Sequence, residues 1–249
     1  MRILLSPSET KSVGGSGDPL DLAALSLPTL TATRRTVAHA VVAMCTGDPA
    51  GARTALGLSE KLVEEVALDA QLWSSPTAPA LSRYTGVLYD ALGQASFTRA
   101  GRARAESRLW IGSALFGLLA AADPIPHYRL SSGTQLPGLG TLRSTWRPSL
   151  TAATATWAED LVVDLRSGGY HQLGPVPGAV TVDVVTEYPD GTRKVVSHFS
   201  KFHKGLLART LATSRSEMDD VPALLRVARR AGYTLERKSD SALTMVTQP

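Results

Sequence analysis

Between residues 180 and 213 the apolar spacing of this chain changes from every second residue to every third or fourth. That switch constrains the fold more than any other feature. Val180–Glu187 and residues 192–199 alternate, and Tyr188-Pro189-Asp190-Gly191 between them carries the turn residues of a β-hairpin. Helical spacing takes over through residues 204–213. A hairpin that runs straight into a helix belongs to a mixed architecture. The junction, Ser200-Lys201-Phe202-His203-Lys204-Gly205-Leu206-Leu207-Ala208-Arg209, sets Lys201, His203, Lys204 and Arg209 beside the N–H groups of the new helix. This predicts an anion site at the junction.

The remaining pattern supports the same class. Residues 2–5 read as a short apolar strand ending at Ser6-Pro7, and residues 161–165 as another. Helical spacing runs through 34–44, 59–73, 85–92, 104–121 and 221–231, with Ser59 placed to cap its helix. Residues 109–122 are almost wholly apolar, which predicts a central core helix too short to span a bilayer. Residues 233–237 and 242–246 read as a closing pair of strands. The predicted fold is α+β: one compact domain over residues 1–249, with mixed strands, a β-hairpin and flanking helices.

Composition narrows the setting. Hydrophobic residues at 43% and charged residues at 19% describe an ordinary globular protein. A lone cysteine, Cys45, rules out an internal disulfide, and the five scattered histidines predict neither a metal site nor another cofactor. With no signal-like start, the expected location is the cytoplasm, away from membranes. The net charge of +4 conceals a segregation, since residues 99–147 carry +5, residues 193–238 carry +7, and the rest carry −8. Brought together, the two basic segments would form one surface for phosphate-bearing partners; kept apart, they are solvated faces.

Three motifs bear on chemistry. Ser6-Pro7-Ser8-Glu9-Thr10-Lys11 places hydroxyls, a carboxylate and an ammonium after a strand, without the spacing of a phosphate-binding P-loop. Leu136-Pro137-Gly138-Leu139-Gly140-Thr141-Leu142, followed by Arg143 and Arg147, resembles the hairpin of helix-hairpin-helix modules, whose glycine N–H groups approach a DNA phosphate. An ordinary loop between helices would read the same. Arg83-Tyr84 and Tyr128-Arg129 each join an aromatic to a guanidinium, which suits a stacked base with its phosphate or a core tyrosine beside a structural ion pair. No nucleophile elbow specifies a reaction.

Taken in order, several blocks resemble the YaaA family of bacterial peroxide-stress proteins. The first are Ile3-Leu4-Leu5-Ser6-Pro7 with Thr10-Lys11, Tyr84-Thr85-Gly86, and Leu115-Phe116-Gly117-Leu118-Leu119. Asp123-Pro124-Ile125-Pro126-His127-Tyr128-Arg129-Leu130, Trp146, and Val163-Asp164-Leu165 with Gly169-Tyr170 follow. Val196-Ser197-His198-Phe199 with Lys201, Lys204-Gly205-Leu206 and Arg209 completes the series. The resemblance implies the family's own α+β architecture, with a basic cleft and a helix-hairpin-helix-like element. It also implies a role in peroxide stress through limiting free iron, and binding to double-stranded DNA and branched junctions. Two departures stand out. The family's Ser-Pro-Ala-Lys-Thr becomes Ser6-Pro7-Ser8-Glu9-Thr10-Lys11, and its Phe-Trp-Gly-Asp becomes Thr145-Trp146-Arg147-Pro148, losing an acid and gaining a cation. They point to a divergent member.

On this reading Arg83, Arg129, Arg143, Lys201, Lys204 and Arg209 neutralise DNA phosphates without reading bases, and six such contacts give a log–log salt slope of roughly −5. The alternative is an enzyme acting on a nucleotide-like or other anionic small molecule. Ser6, Lys11, Tyr84, Arg129 and Lys204 would then converge in one pocket, with Lys11 or Tyr84 carrying a proton. A deep pocket favours the second reading and an open basic groove the first.

Overall fold

A computed structural model describes residues 1–195 and 197–248. Val196, Pro249 and the side chains of Ser197 and His198, including part of the strand expected at 192–199, lie outside the described residues. The chain opens with β1 (Arg2–Leu5) and β2 (Gly17–Pro19), then forms α1 (Thr31–Gly47), α2 (Pro49–Ala55) and α3 (Glu64–Ala70). Next come β3 (Pro76–Pro79), α4 (Ala80–Arg83), α5 (Val87–Leu92) and α6 (Arg99–Arg108). They lead to β4 (Leu109–Ser113), β5 (Gly117–Ala120), β6 (Pro124–Ile125) and α7 (Leu142–Thr154). Then follow β7 (Val162–Asp164), α8 (Gly168–Leu173), β8 (Val180–Glu187) and β9 (Arg193–Lys194). The last elements are α9 (Ser197–Thr213), α10 (Val221–Arg230), β10 (Thr234–Ser239) and β11 (Ala242–Thr247).

The main sheet has the order β10-β11-β8-β7-β1-β4-β5, with β9 added to β8. Its five inner strands, β11, β8, β7, β1 and β4, are mutually parallel, and β10 and β5 close the edges antiparallel. A small antiparallel sheet joins β2, β3 and β6. The fold is α+β, as the change of period predicts. Ile3, Leu4 and Leu5 of β1 are all at 0% exposure, because a central parallel strand is covered on both faces. β8 keeps its alternation, burying Val180, Val182 and Val184 while Asp183 is exposed.

The same logic corrects the helix expected over 104–121. α6 ends at Arg108, and the apolar run beyond it is the β4–β5 pair, with Ile111 opposite Leu119. Buried on both faces, these strands show no alternation, so their sequence mimics a core helix. Trp146 of α7 packs behind them, at 0% exposure, and its indole donates to the Ala114 carbonyl at 2.7 Å.

Four further expectations change. The helix expected over 59–73 is split into a short 3₁₀ turn, Glu60–Leu62, and α3, and Ser59 precedes the turn without making a capping hydrogen bond. The 188–191 turn is present, with the Gly191 N–H donating to the Tyr188 carbonyl at 2.9 Å, but the returning strand is only Arg193–Lys194. α9 begins at Ser197, so residues 200–204 lie inside the helix, where their N–H groups serve intrahelical bonds. An anion site built on free N–H groups at that point is therefore not formed. Finally, residues 136–142 make a turn closed by a Gln135–Thr141 bridge, and Thr141 caps α7 by accepting from the Ser144 N–H at 3.1 Å. The element before the turn is β6 rather than a helix, so no helix-hairpin-helix unit is assembled among the described residues.

α9 crosses α5 at Gly205, where any Cβ would run into the Leu88 carbonyl and the Ala91 side chain. This close crossing sets Lys201 and Lys204 over the start of α5. Among the described residues no helix is long and apolar enough to cross a membrane.

Candidate functional site

From β1 the chain passes to β4 on one side of the sheet, and from there it returns to β7 on the other side. The loops leaving the carboxyl ends of β1 and β7 therefore part from one another. Parallel sheets bind ligands in the crevice at such a switch point. A pocket of about 470 Å³ opens there. Residues 6–10 follow β1 into it and Leu165 and Ser167 follow β7, while Asp183 comes from β8, residues 86–89 from the start of α5, and Lys201 and Lys204 from α9. The Ser167 N–H donates to Ser6 Oγ at 2.7 Å and stitches the two loops together.

The walls divide by character. Pro7, Val87, Leu88, Leu165 and Val184 make an apolar lining. Ser8 Oγ and Thr85 Oγ1 each lie 3.1 Å from Thr10 Oγ1, forming a small hydroxyl cluster. It lies beside Gly86, at φ +92°, where an added Cβ would come within 3.2 Å of the Ser8 and Thr10 hydroxyls. The cations come from α9. Lys201 is exposed, whereas Lys204 is half-buried with its Nζ 3.5 Å from the Arg166 carbonyl. Burial lowers the Lys204 pKa, against the pull of Asp183 and Asp164.

Beneath the pocket lies a buried charged layer. Lys11 Nζ donates to the Ser8 carbonyl at 3.0 Å and sits 4.2 Å from the centre of the Tyr128 ring. Burial brings its pKa down to about 8, with Glu9 opposing and Arg129 assisting. The Tyr84 hydroxyl meets that of Tyr128 at 2.7 Å, and Tyr128 meets Ser113 Oγ at 2.7 Å. Burial holds both phenols protonated. Neither Lys11 nor Tyr84 lines the pocket.

Sequence reasoning missed Asp69. It is completely buried, with Oδ1 accepting the Arg129 N–H at 2.8 Å and Oδ2 without a hydrogen-bond partner. Burial pushes its pKa up to about 7. The signal was available: Asp69 follows Val66 at helical spacing, a carboxylate at a core-facing position. A neighbouring pair, His127 Nε2 and Glu65 Oε2, meets at 2.7 Å. On the far side, β7 carries a second buried network in which Asp164 accepts from Arg166 Nη2 at 2.7 Å and contacts His171 Nδ1 at 2.9 Å.

The predicted cations do not share one surface. Lys201 and Lys204 line the pocket. Arg83 is at 0% exposure and donates to the carbonyls of Ile125, Ser12 and Pro76, so no phosphate can reach it. Arg209 donates from Nη1 to the carbonyls of Leu92 and Gly93 at 2.9 Å each, closing the end of α5. Arg143 is exposed on α7, outside the pocket. Arg129 clamps Glu9, donating to its carbonyl at 2.9 Å and meeting its carboxylate at 3.1 Å. Of the proposed small-molecule set, Ser6 and Lys204 reach the pocket while Lys11, Tyr84 and Arg129 stand behind its wall.

Residues 1–239 match the family model described as peroxide stress protein YaaA. A UPF0246 protein of Corynebacterium efficiens is 51% identical over 240 residues, covering 95% of each chain. One from Corynebacterium glutamicum is 47% identical over 249 residues, 98% of each chain. A Streptomyces coelicolor relative is 42% identical over 242 residues, 96% of this chain and 93% of its own. The chain belongs to the YaaA family of peroxide stress proteins.

Proposed function

We propose that this family member binds a phosphorylated, nucleotide-sized small molecule in the pocket between the β1 and β7 loops. One observation carries the reading: a recess of about 470 Å³ at the switch point, lined by Lys201 and Lys204 together with hydroxyls, the carboxylates of Glu9 and Asp183, and an apolar set of side chains. That volume lies within the range of small-ligand sites, roughly 300–1,000 Å³. A duplex would instead engage a row of exposed cations, and Arg83 and Arg209 are occupied by backbone carbonyls. Lys11 and Tyr84 lie behind the wall, so the reading is of binding, with no reaction assigned. Titration calorimetry with AMP and ribose 5-phosphate at low salt tests it. Binding that weakens in Lys204→Ala supports the reading, and no binding by the unaltered protein ends it.

Sequence-independent DNA binding, the second reading, draws on arginines of the basic segment 193–238 that are not among the six phosphate contacts named from the sequence. Arg226, Arg229 and Arg230 are exposed along α10. Three phosphate contacts there give a log–log salt slope of roughly −3. A duplex affinity that ignores salt, or survives replacement of all three by serine, would remove this second reading.

The connection to peroxide does not run through a thiol on either reading. Cys45 is buried, and burial pushes its pKa up to about 12, so the reactive thiolate is not formed at neutral pH. Among the described residues no group of three or more His, Cys, Asp or Glu is placed to hold a metal ion. Control of free iron, where the family exerts it, is on this reading an indirect effect of ligand or DNA binding.

A further inference from the structure

Two carboxylates stand among the pocket walls, and they are held differently. Asp183 faces Lys204 and each offsets the other's charge. Glu9, on the loop after β1, is half exposed yet doubly fastened, with Arg129 donating to its carbonyl at 2.9 Å and meeting Oε2 at 3.1 Å. Arg129 is itself anchored through its N–H to the buried Asp69 at 2.8 Å. A surface ion pair of this kind contributes little to stability and costs side-chain freedom. What the clamp achieves is orientation: it fixes the carboxylate of a residue that lines the pocket. Positioned acceptors held by a second layer of contacts are how sites recognise donors.

Position adds a length. β8, which carries Asp183, and β1, which leads to Glu9, are two places apart in the sheet, a span of about 10 Å. Lys201 and Lys204 come to the pocket from α9, and Glu9, beside Tyr170, comes to it from the loop after β1. A ligand that meets Glu9 has to supply an N–H or O–H donor there, because an ionised carboxylate only accepts. One that is anionic at one end and rich in N–H donors at the other satisfies both. We propose that the ligand is a phosphorylated nitrogen heterocycle bearing an exocyclic amine, with its phosphate at Lys201 and Lys204 and its amine donating to Glu9. This rests on the small-molecule reading above and specifies the ligand within it.

The test is calorimetric binding of AMP, GMP and CMP, each against the 5′-monophosphate analogue that lacks only the exocyclic amine. The expected result is a preference of about tenfold or more for at least one aminated partner, as a hydrogen bond to a charged acceptor supplies. Glu9→Ala should erase that preference by weakening the aminated nucleotide, while the deaminated analogue binds as before. If no pair differs by more than about twofold, or the preference survives Glu9→Ala, the inference is overturned. Ribose 5-phosphate separates the two levels. Should it bind in a Lys204-dependent way while no amine adds affinity, the heterocycle assignment falls and the pocket reading stands. If neither it nor any nucleotide binds, both fall.

Discussion

Arg83 and Lys204 carry the same charge, and the fold puts them to opposite uses. Arg83 is sealed in the interior, where its planar fork donates to carbonyls on three separate stretches of chain. Arg34 does likewise with the Phe116 and Leu118 carbonyls, and Arg108 with those of Leu211 and Ser214. Among the described residues Lys204 makes a long contact with the Arg166 carbonyl, lies near Asp183, and lines the pocket. A guanidinium with five fixed donors can satisfy several orphan carbonyls at once, whereas an ammonium is a point charge on a flexible stem. The buried arginines of this chain therefore act as rivets, while Lys204 is the pocket-lining cation that the proposed reading gives to a ligand.

The largest way to break this contrast is Arg83→Ala. It leaves buried carbonyls without donors and is expected to cost about 3 kcal/mol or more, read as a shift in the urea unfolding midpoint. Arg83→Lys should recover little of it. An unchanged midpoint together with lost ligand binding would reverse the assignment.

The buried layer between the two regions gives the next effect. Burial raises Asp69 from 3.8 to about 7, so between those values the native chain holds a proton that the unfolded chain has released. Its contribution to stability is thus present at low pH and lost as pH rises through about 7. Lys11 acts in the opposite sense. Lowered from 10.5 to about 8, it is protonated in the unfolded chain but not in the native one within that window, so stability gains as pH rises through it. Asp69→Asn, which keeps an acceptor for the Arg129 N–H, should abolish the acid-side slope and stabilise the protein at pH 7.5 by on the order of 2 kcal/mol. An identical slope in the Asn variant would assign the titration to another group.

Smaller effects sharpen the other side. Lys204→Ala should weaken binding of a phosphate-bearing probe about tenfold while moving the unfolding midpoint far less than Arg83→Ala does. Arg143→Ala, on an exposed turn of α7, should change neither the affinity nor, beyond about 0.5 kcal/mol, the stability.

How far the sequence announces this depends on the environment of each residue. Val180, Val182 and Val184 are readable because β8 has one buried and one more open face. α10 is readable because its stripe of buried Leu224 and Ala228 is set against arginines. Leu109 to Ala120 is not, since a strand buried on both faces loses its period. The start of α9 is hidden because the apolar Val195 and Phe199, both exposed, continue the alternation past the real boundary. In the site, Ser6 and Lys204 are legible from their places at a strand end and on a helix. The roles of Arg83 and Arg129 are not, because the carbonyls and the Glu9 carboxylate they engage come from far along the chain.

The place of β1 has a consequence for synthesis. Ile3 lies between Leu109 and Val163, so the strand at the centre of the sheet leaves the ribosome long before either neighbour exists. At roughly 5–20 residues per second, the second neighbour follows on the order of ten seconds later. Through that interval Ile3, Leu4 and Leu5 are a sticky, unpaired segment, and the crevice at the switch point has only one of its lips. The pocket gains its last lining residues only when translation has passed α9, so a ligand bound there could act on the chain only from that point on.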